Sequence, residues 1–478
     1  RILVTGGQLR AGDTIAVTLG ATKGLEAPKS EASWQIITRV DGDGNGSYGL
    51  VPEAPSVDAW SADTTRVVLR APTSLHVGDR STLALHTEDS YFLPNLTRFD
   101  HATIRLKAQP GLEFPTELEW KGDRTSWEQS VAELPITATR EGLYYIVGEA
   151  TVDGKQFPIL SNPIEVVPET QQKIYFGDLH IHSLLSYDAD RTPEYVWWRQ
   201  RYQERHDFAA LSDHDMIGAV PFAKRDGIAG RTPDEWAYAK KVANSKNEPG
   251  KFVSILAYEW TSYYFGHRNI FFSGEETDPP LFHHNQHSEF PPYDEERPGA
   301  LRDHLAGHRY IAIPHSTAWP TKSKLFHWGP EDATEKRFGS PEAWPEQRQL
   351  ELYSTHGTSE YFDNEYAVDK GHPEAPTNSE LVRNLLNYNI QQAAPDSGNF
   401  AQDALANGWQ FGFIGSSDDH YLSHLDQAYK YGLAAVFADD LTRQDIWNAL
   451  NNRQSYAVTG VRILMHFYAD GAAMGSTV

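Results

Sequence analysis

The stretch Asp178-Leu179-His180-Ile181-His182-Ser183 decides how this chain is read. Its two histidines stand two positions apart, so in an extended strand both imidazoles project from one face and can reach a single ion. A lone His-x-His proves little, because a chain of 478 residues with 20 histidines contains roughly one by chance. The rest of the chain is what gives the pair its meaning. Asp188 follows, and then four apolar runs each end in a metal-capable side chain: FAALSDH at His214, FVSILAYE at Glu259, YIAIPH at His315 and FGFIGSSDDH at Asp418 and His420. In a barrel of alternating strands and helices, the carboxyl ends of the strands face one common mouth, so ligands placed there converge.

Working outward, from Tyr175 strand-like runs alternate with helical segments. Thr192-Pro193-Glu194 and Thr232-Pro233-Asp234-Glu235 each read as a helix start, with a capping hydroxyl before a proline and acidic residues at the positive end. That alternation predicts a parallel α/β region over 171–460. Residues 1–170 read differently. Short alternating stretches at Thr14–Leu19, Thr65–Ala71, Thr82–His86 and Leu143–Val152 are separated by Gly, Asp, Asn and Pro clusters, which predicts an antiparallel β-sandwich. Leu9–Leu19 and Leu75–Leu85 share a Gly-Asp turn feeding a strand, so two related units are expected. The junction is placed near Pro168–Lys173, and a terminal β segment over 461–478. Two stretches of little periodicity, Ser273–Arg297 and Trp319–Gln349, read as long loops over the site.

Composition bounds the function. A formal charge of −23 with no basic run argues against a nucleic-acid or anionic-membrane surface. The absence of cysteine removes disulfides, thiolate catalysis and Cys-ligated zinc together, leaving His and carboxylate ligation. No run of about 18 apolar residues is present to span a membrane as a helix. The chain opens at Arg1 on an apolar run, which suits either a processed leader or a truncated chain, and the expectation leans to the periplasm or the cell exterior.

These motifs resemble those of the PHP (polymerase and histidinol phosphatase) superfamily of metal-dependent phosphoesterases: DLHIHS, SDHD, the glutamate of YEW, the Pro314-His315 pair and the D-x-H at Asp418–His420. More narrowly, YFGDLHIHS, EWTS, GHRNIFF and ELYSTHG are similar to the DUF3604 branch, and the resemblance covers roughly Tyr175–Val458. It implies a distorted (β/α)7 barrel with a trinuclear centre. His180, His182, Glu259 and Asp418 would hold one ion, with Glu259 bridging to a second held by His315 and His356. Asp188, His214 and His420 would hold the third. Glu351, at the end of its own apolar run, is the alternative to His356. The implied cofactors are two to three divalent ions of manganese, zinc or iron, and the implied substrate is a small anionic phosphoester.

Other residues remain open between two readings. His267 and Arg268 either donate a proton and clamp an anionic oxygen at the rim, or form an ordinary strand-edge pair. Asp215 either orients a ligand or caps a helix. His283, His284 and His287 sit in a polar, proline-flanked loop and read as surface residues. Hydrolysis of an amide, a lactone or a sulfate ester uses the same kind of centre, and a glycan-binding protein with an idle barrel is the non-enzymatic reading.

Overall fold

The computed structural model describes residues 64–88, 101–121, 130–186, 189, 191–215, 233–261, 266–274, 278–281, 298–317, 344–361, 400–420 and 432–478, with the backbone of four short strands before residue 60. The upstream copy of the Gly-Asp repeat, Asp188 and the histidine-rich loop lie outside these residues.

The amino-terminal half is a β-sandwich. One sheet orders Glu117–Trp120, Ala102–Leu106, Val147–Val152 and Lys155–Leu160, all antiparallel. A second orders Arg66–Arg70, Arg80–Glu88, Ala132–Ala138 and Leu112–Glu113, also antiparallel. Alternate residues of both fill one core around Leu69, Leu83, Leu85, Ile104, Ile136 and Ile159. The Gly-Asp turn forms as expected: Gly78 adopts φ +94°, and Asp79 accepts from His76 N at 2.9 Å. The strand expected over Leu143–Val152 breaks in two, because Gly142–Tyr144 pairs in a separate three-stranded sheet before the chain crosses to the first.

In the second half, Lys173–Ile181 runs parallel to Phe208–Leu211, and that strand parallel to Val253–Trp260. Arg268–Phe272 and Tyr310–Pro314 extend the sheet antiparallel on one side, and Leu433–Ala438 and Ser455–Val458 antiparallel on the other. A smaller sheet holds Gln349–Ser354 parallel to Gly412–Gly415, with Gly357–Thr358 at its edge. Its far end is stitched to the central strand by Asp418 N→His180 O at 2.8 Å and His182 N→Asp419 O at 3.0 Å. The half is therefore a mixed sheet with a second sheet beside it, not the parallel array expected from the alternation of elements. One cause is visible in the chain. Only residues 261–267 separate two strands, too few for a helical crossover, so the second strand returns antiparallel.

The proline-led helices form at Pro193–Trp198, where Thr192 accepts from Tyr195 N at 3.3 Å, and at Pro233–Lys246. No helix of the described residues is long and apolar enough to cross a membrane.

The sheet buries both faces. One carries Leu179, Phe208, Ala210, Ile255, Ala257, Phe271, Ile311 and Ile313, against Ile446 and Trp447 of the helix Arg443–Asn451. The other carries Leu256, Tyr258, Trp260, Ile270 and Phe272, against Trp197 and Trp236 of the proline-led helices. The strands therefore read as continuous apolar runs.

The halves meet through buried charge. The Arg462 guanidinium donates to Ala71 O at 3.2 Å and Thr73 Oγ1 at 3.3 Å in the sandwich, and to Glu204 O at 2.6 Å and Arg205 O at 2.8 Å in the second half. Arg205, itself in the left-handed region at φ +55°, reaches back to Ser81 Oγ at 3.0 Å and Thr82 O at 3.2 Å.

Candidate metal centre

Strand parity delivers the site. Residues alternate faces, so Glu259 follows Ala257 on the Ile255 face, and His315 follows Ile313 onto the same face. On the central strand the parity must change, since Leu179 lies on that face and its histidines are even-numbered. A register shift between Asp178 and Ile181 makes the change, sending Ile181 to the opposite layer and turning His180 and His182 toward Glu259. Asp418 arrives with φ +54°, a left-handed conformation uncommon for a non-glycine residue.

Four atoms converge. His180 Nε2 lies 3.1 Å from His182 Nε2, and 3.2 Å from both Glu259 Oε2 and Asp418 Oδ1. His182 Nε2 lies 3.3 and 3.2 Å from the same two oxygens. A regular tetrahedron with edges of this length has its centre about 2.0 Å from every corner, the length of a zinc–nitrogen or zinc–carboxylate bond. All four residues are nearly inaccessible to solvent.

The outer nitrogens explain why the inner ones are acceptors. His180 Nδ1 lies 3.0 Å from Glu351 Oε2 and His420 Nδ1 3.0 Å from the Asp418 carbonyl, and both oxygens can only accept. His182 Nδ1 lies 2.9 Å from Ser186 Oγ, whose hydroxyl is 3.2 Å from Asp213 Oδ1. His214 Nδ1 lies 2.7 Å from Thr261 Oγ1. Each imidazole thus spends its proton outward and turns an Nε2 lone pair inward, as a metal-binding histidine does.

Three further groups adjoin the first, the last of them made of His180, His315 and Glu351. Glu259 Oε1 lies 2.5 Å from His267 Nδ1 and 3.4 Å from His315 Nε2, while His182, His214 and His420 form a third group, with His214 Nε2 and His420 Nε2 3.5 Å apart. Glu259 is shared by the first and second groups, and His182 by the first and third.

Electrostatics agree with this grouping. Burial would raise the carboxyl pKa of Glu259, but His214, His267 and His315 hold it well below the usual range. Burial likewise opposes, and His180 and His356 outweigh it, at Asp418. Burial lowers the pKa of His180 while Asp418 and Glu351 raise it further, and the net is well above the ordinary value. The potential that favours a proton on that imidazole also favours a cation among these four atoms.

Several expectations need correction. His356 does not join His315 at Glu259. Its Nε2 lies 3.0 Å from Asp418 Oδ2, and its side chain is 33% exposed. His267 takes the place beside His315 instead. The strand it precedes runs antiparallel, so its amino end lies at the mouth, and the rule that ligands follow strands passes over it. Arg268 is not at the rim. Adjacent strand residues face opposite sides, and Arg268 lies in the helix-facing layer, its guanidinium 4.4 Å from the Trp344 ring and 5.4 Å from Trp260, with Nε donating to Gln347 Oε1 at 3.0 Å. Glu351 lies beside His180 Nδ1 at 3.0 Å and is grouped with His180 and His315, the place for which it was the alternative to His356. Asp215 accepts from Thr261 N at 2.9 Å, holding the threonine that holds His214. The roles of Ser186 and Thr261 were not read from the sequence, where one serine or threonine resembles any other.

Comparison with known proteins places the chain. An uncharacterized protein of Chlamydia trachomatis is 24% identical over 98% of this chain and 69% of its own length, and one of Chlamydia pneumoniae is 22% identical over the same shares. Among solved structures, a two-domain protein containing a predicted PHP-like metal-dependent phosphoesterase from Bacteroides vulgatus aligns at 19% identity and a TM-score of 0.37, over 60% of this chain and 65% of that one. Domains 4 and 5 of the S-layer protein SbsC align at 12% identity and a TM-score of 0.15, over 25% of this chain and 63% of that one. The family described as a protein of unknown function, DUF3604, matches residues 199–431 and 421–476, more than half of the 478 residues, and the chain belongs to that family.

Proposed function

We propose that this protein is a metal-dependent hydrolase that cleaves a small phosphomonoester or phosphodiester at a trinuclear centre. The observation that carries the reading is the convergence of His180, His182, Glu259 and Asp418, with both Nε2 atoms 3.1–3.3 Å from each other and from one oxygen of each carboxylate. His267 and His315 with Glu259 would hold a second ion, and His214 and His420 with His182 a third; the sequence motif adds Asp188 to the third. Manganese, zinc or iron suits a set of imidazoles and carboxylates better than magnesium does. Bound ions of this kind supply Lewis acidity and an activated water at neutral pH.

The side chains supply the rest. Glu259, shared between two groups, would fix their spacing. Glu351, Ser186 and Thr261 would hold three imidazoles in the tautomer that leaves Nε2 open. The charge of an anionic substrate would be balanced by what the cluster holds. The PHP-like motif set favours phosphorus over carbon or sulfur as the electrophile. The wider scaffold around the site would be a distorted (β/α)7 barrel.

Elemental analysis of protein purified without chelators is expected to find two to three transition-metal equivalents. The metal-loaded protein should release phosphate from an ester panel, and a chelator should abolish that release. Protein that takes up no metal on reconstitution overturns the assignment. Turnover confined to amides, lactones or sulfate esters moves the protein to another hydrolase class.

A further inference from the structure

His356 stands apart from the other histidines of the cluster. It occupies the turn between Gln349–Ser354 and Gly357–Thr358, where its backbone N donates to Ser354 Oγ at 3.2 Å. Its side chain is one-third exposed, while those of His180, His182, Glu259 and Asp418 are at most 4% exposed. It belongs to none of the converging groups, yet its Nε2 lies 3.0 Å from Asp418 Oδ2. The two Asp418 oxygens therefore face different partners: Oδ1 looks inward to His180 and His182, and Oδ2 looks outward to His356. A carboxylate oxygen only accepts, so His356 Nε2 carries the proton and donates it. Asp418 needs such a tether more than the other corners do. It sits at φ +54°, fixed on the main-chain side by Asp418 N→His180 O at 2.8 Å. Left to itself, a carboxylate is free to turn and present either oxygen, or both, to a cation.

We infer that His356 is a positioning residue for the metal centre: from the solvent side it holds Asp418 in single-oxygen presentation, and this makes Asp418 the corner through which an ion is exchanged. The inference rests on the reading of the cluster as a metal site. It separates His356 from ligands and from substrate-contacting residues by what its removal does to metal retention. An outer hydrogen-bond partner of a ligand typically contributes a factor of about 10–100 in metal affinity without changing how many ions bind.

The test uses Zn2+ or Mn2+ alone, with no substrate. The full chain and the variants His356→Ala and His356→Gln are loaded, and ion loss is followed against a chromogenic chelator, with stoichiometry measured at saturating metal. The expected result for His356→Ala is full stoichiometry at saturation, with one ion held about 10–100-fold more weakly and released faster. His356→Gln keeps an N–H donor and should recover part of that loss, which a merely structural role would not predict. Loss of a whole equivalent at saturation makes His356 a ligand and overturns the inference. Unchanged affinity and release in His356→Ala also overturn it, with the metal centre itself intact. A wild-type chain that takes up no ion overturns both readings together.

Discussion

Two places in this molecule bury charged and polar side chains in quantity, and they are built in opposite ways. At the junction of the halves donors meet acceptors: the Arg462 guanidinium reaches three carbonyls and a hydroxyl, and Arg205 reaches Ser81 and Thr82. At the mouth of the second half, acceptors meet acceptors. Imidazole Nε2 atoms face one another at 3.1 and 3.5 Å, and carboxylate oxygens lie 3.2–3.3 Å from the closer pair. The first arrangement pairs unlike groups, a cationic donor with neutral acceptors. The second suits a positive charge, a proton or a cation, because converging lone pairs inside a protein are costly when nothing positive lies among them. Buried polarity by itself therefore does not mark a site; the sameness of the groups that converge does.

The largest expected effect tests the acceptor side. Glu259→Gln removes a negative oxygen from two of the converging groups at once. Metal affinity should fall by more than about 100-fold, taking turnover with it, because outer partners alone are worth up to that factor. Isothermal titration with Zn2+ on the variant measures it, and full stoichiometry at wild-type affinity would show that Glu259 is not shared.

A smaller effect is expected from Arg268→Ala, nine residues along the chain but in the other layer. Arg268 is fully buried between two tryptophans, and burial holds its pKa well below the usual value. Truncation should cost stability, about 2–4 kcal/mol, through a cavity and lost stacking. The folded fraction should keep its metal. Denaturant titration and elemental analysis read the two quantities separately, and metal loss without destabilisation would return Arg268 to the site.

A third effect belongs to the junction and shows only as the pH falls. His206 is buried, its Nδ1 2.6 Å from Gln200 Oε1, and burial first and then Arg462 lower its pKa from 6.5 to about 3. The folded protein keeps this imidazole neutral while the unfolded chain protonates it below about 6.5. Its contribution to stability is thus intact above that pH and is lost progressively as the pH falls toward about 3. His206→Gln should flatten the slope of stability against pH between 6.5 and 4. An unchanged slope would assign the acid sensitivity to other groups.

The amino-acid sequence made most of the site readable, because apolar runs ending in His, Glu or Asp carry both the strand and its ligand in one string. It also made the sandwich readable from Thr82–His86 and its Gly-Asp turn. What it hid was strand direction. Treating every strand as parallel leads past His267, whose strand points the other way, and treating Arg268 as its companion ignores the alternation that puts neighbours on opposite faces. His356 was misplaced for a related reason. It sits in a hairpin turn, where neither strand parity nor a preceding apolar run dictates which carboxylate it meets.

Arg462 ties together carbonyls at positions 71, 204 and 205 from a place near the far end of the chain. During synthesis the sandwich and the first strands of the second half leave the ribosome long before this guanidinium does. At about 5–20 residues per second, the interval between residues 205 and 462 is roughly 10–50 s. A nascent chain halted before residue 462 can therefore join its halves through Arg205, Ser81 and Thr82, while the carbonyls at 71, 204 and 205 still wait for the donor that completes the seam.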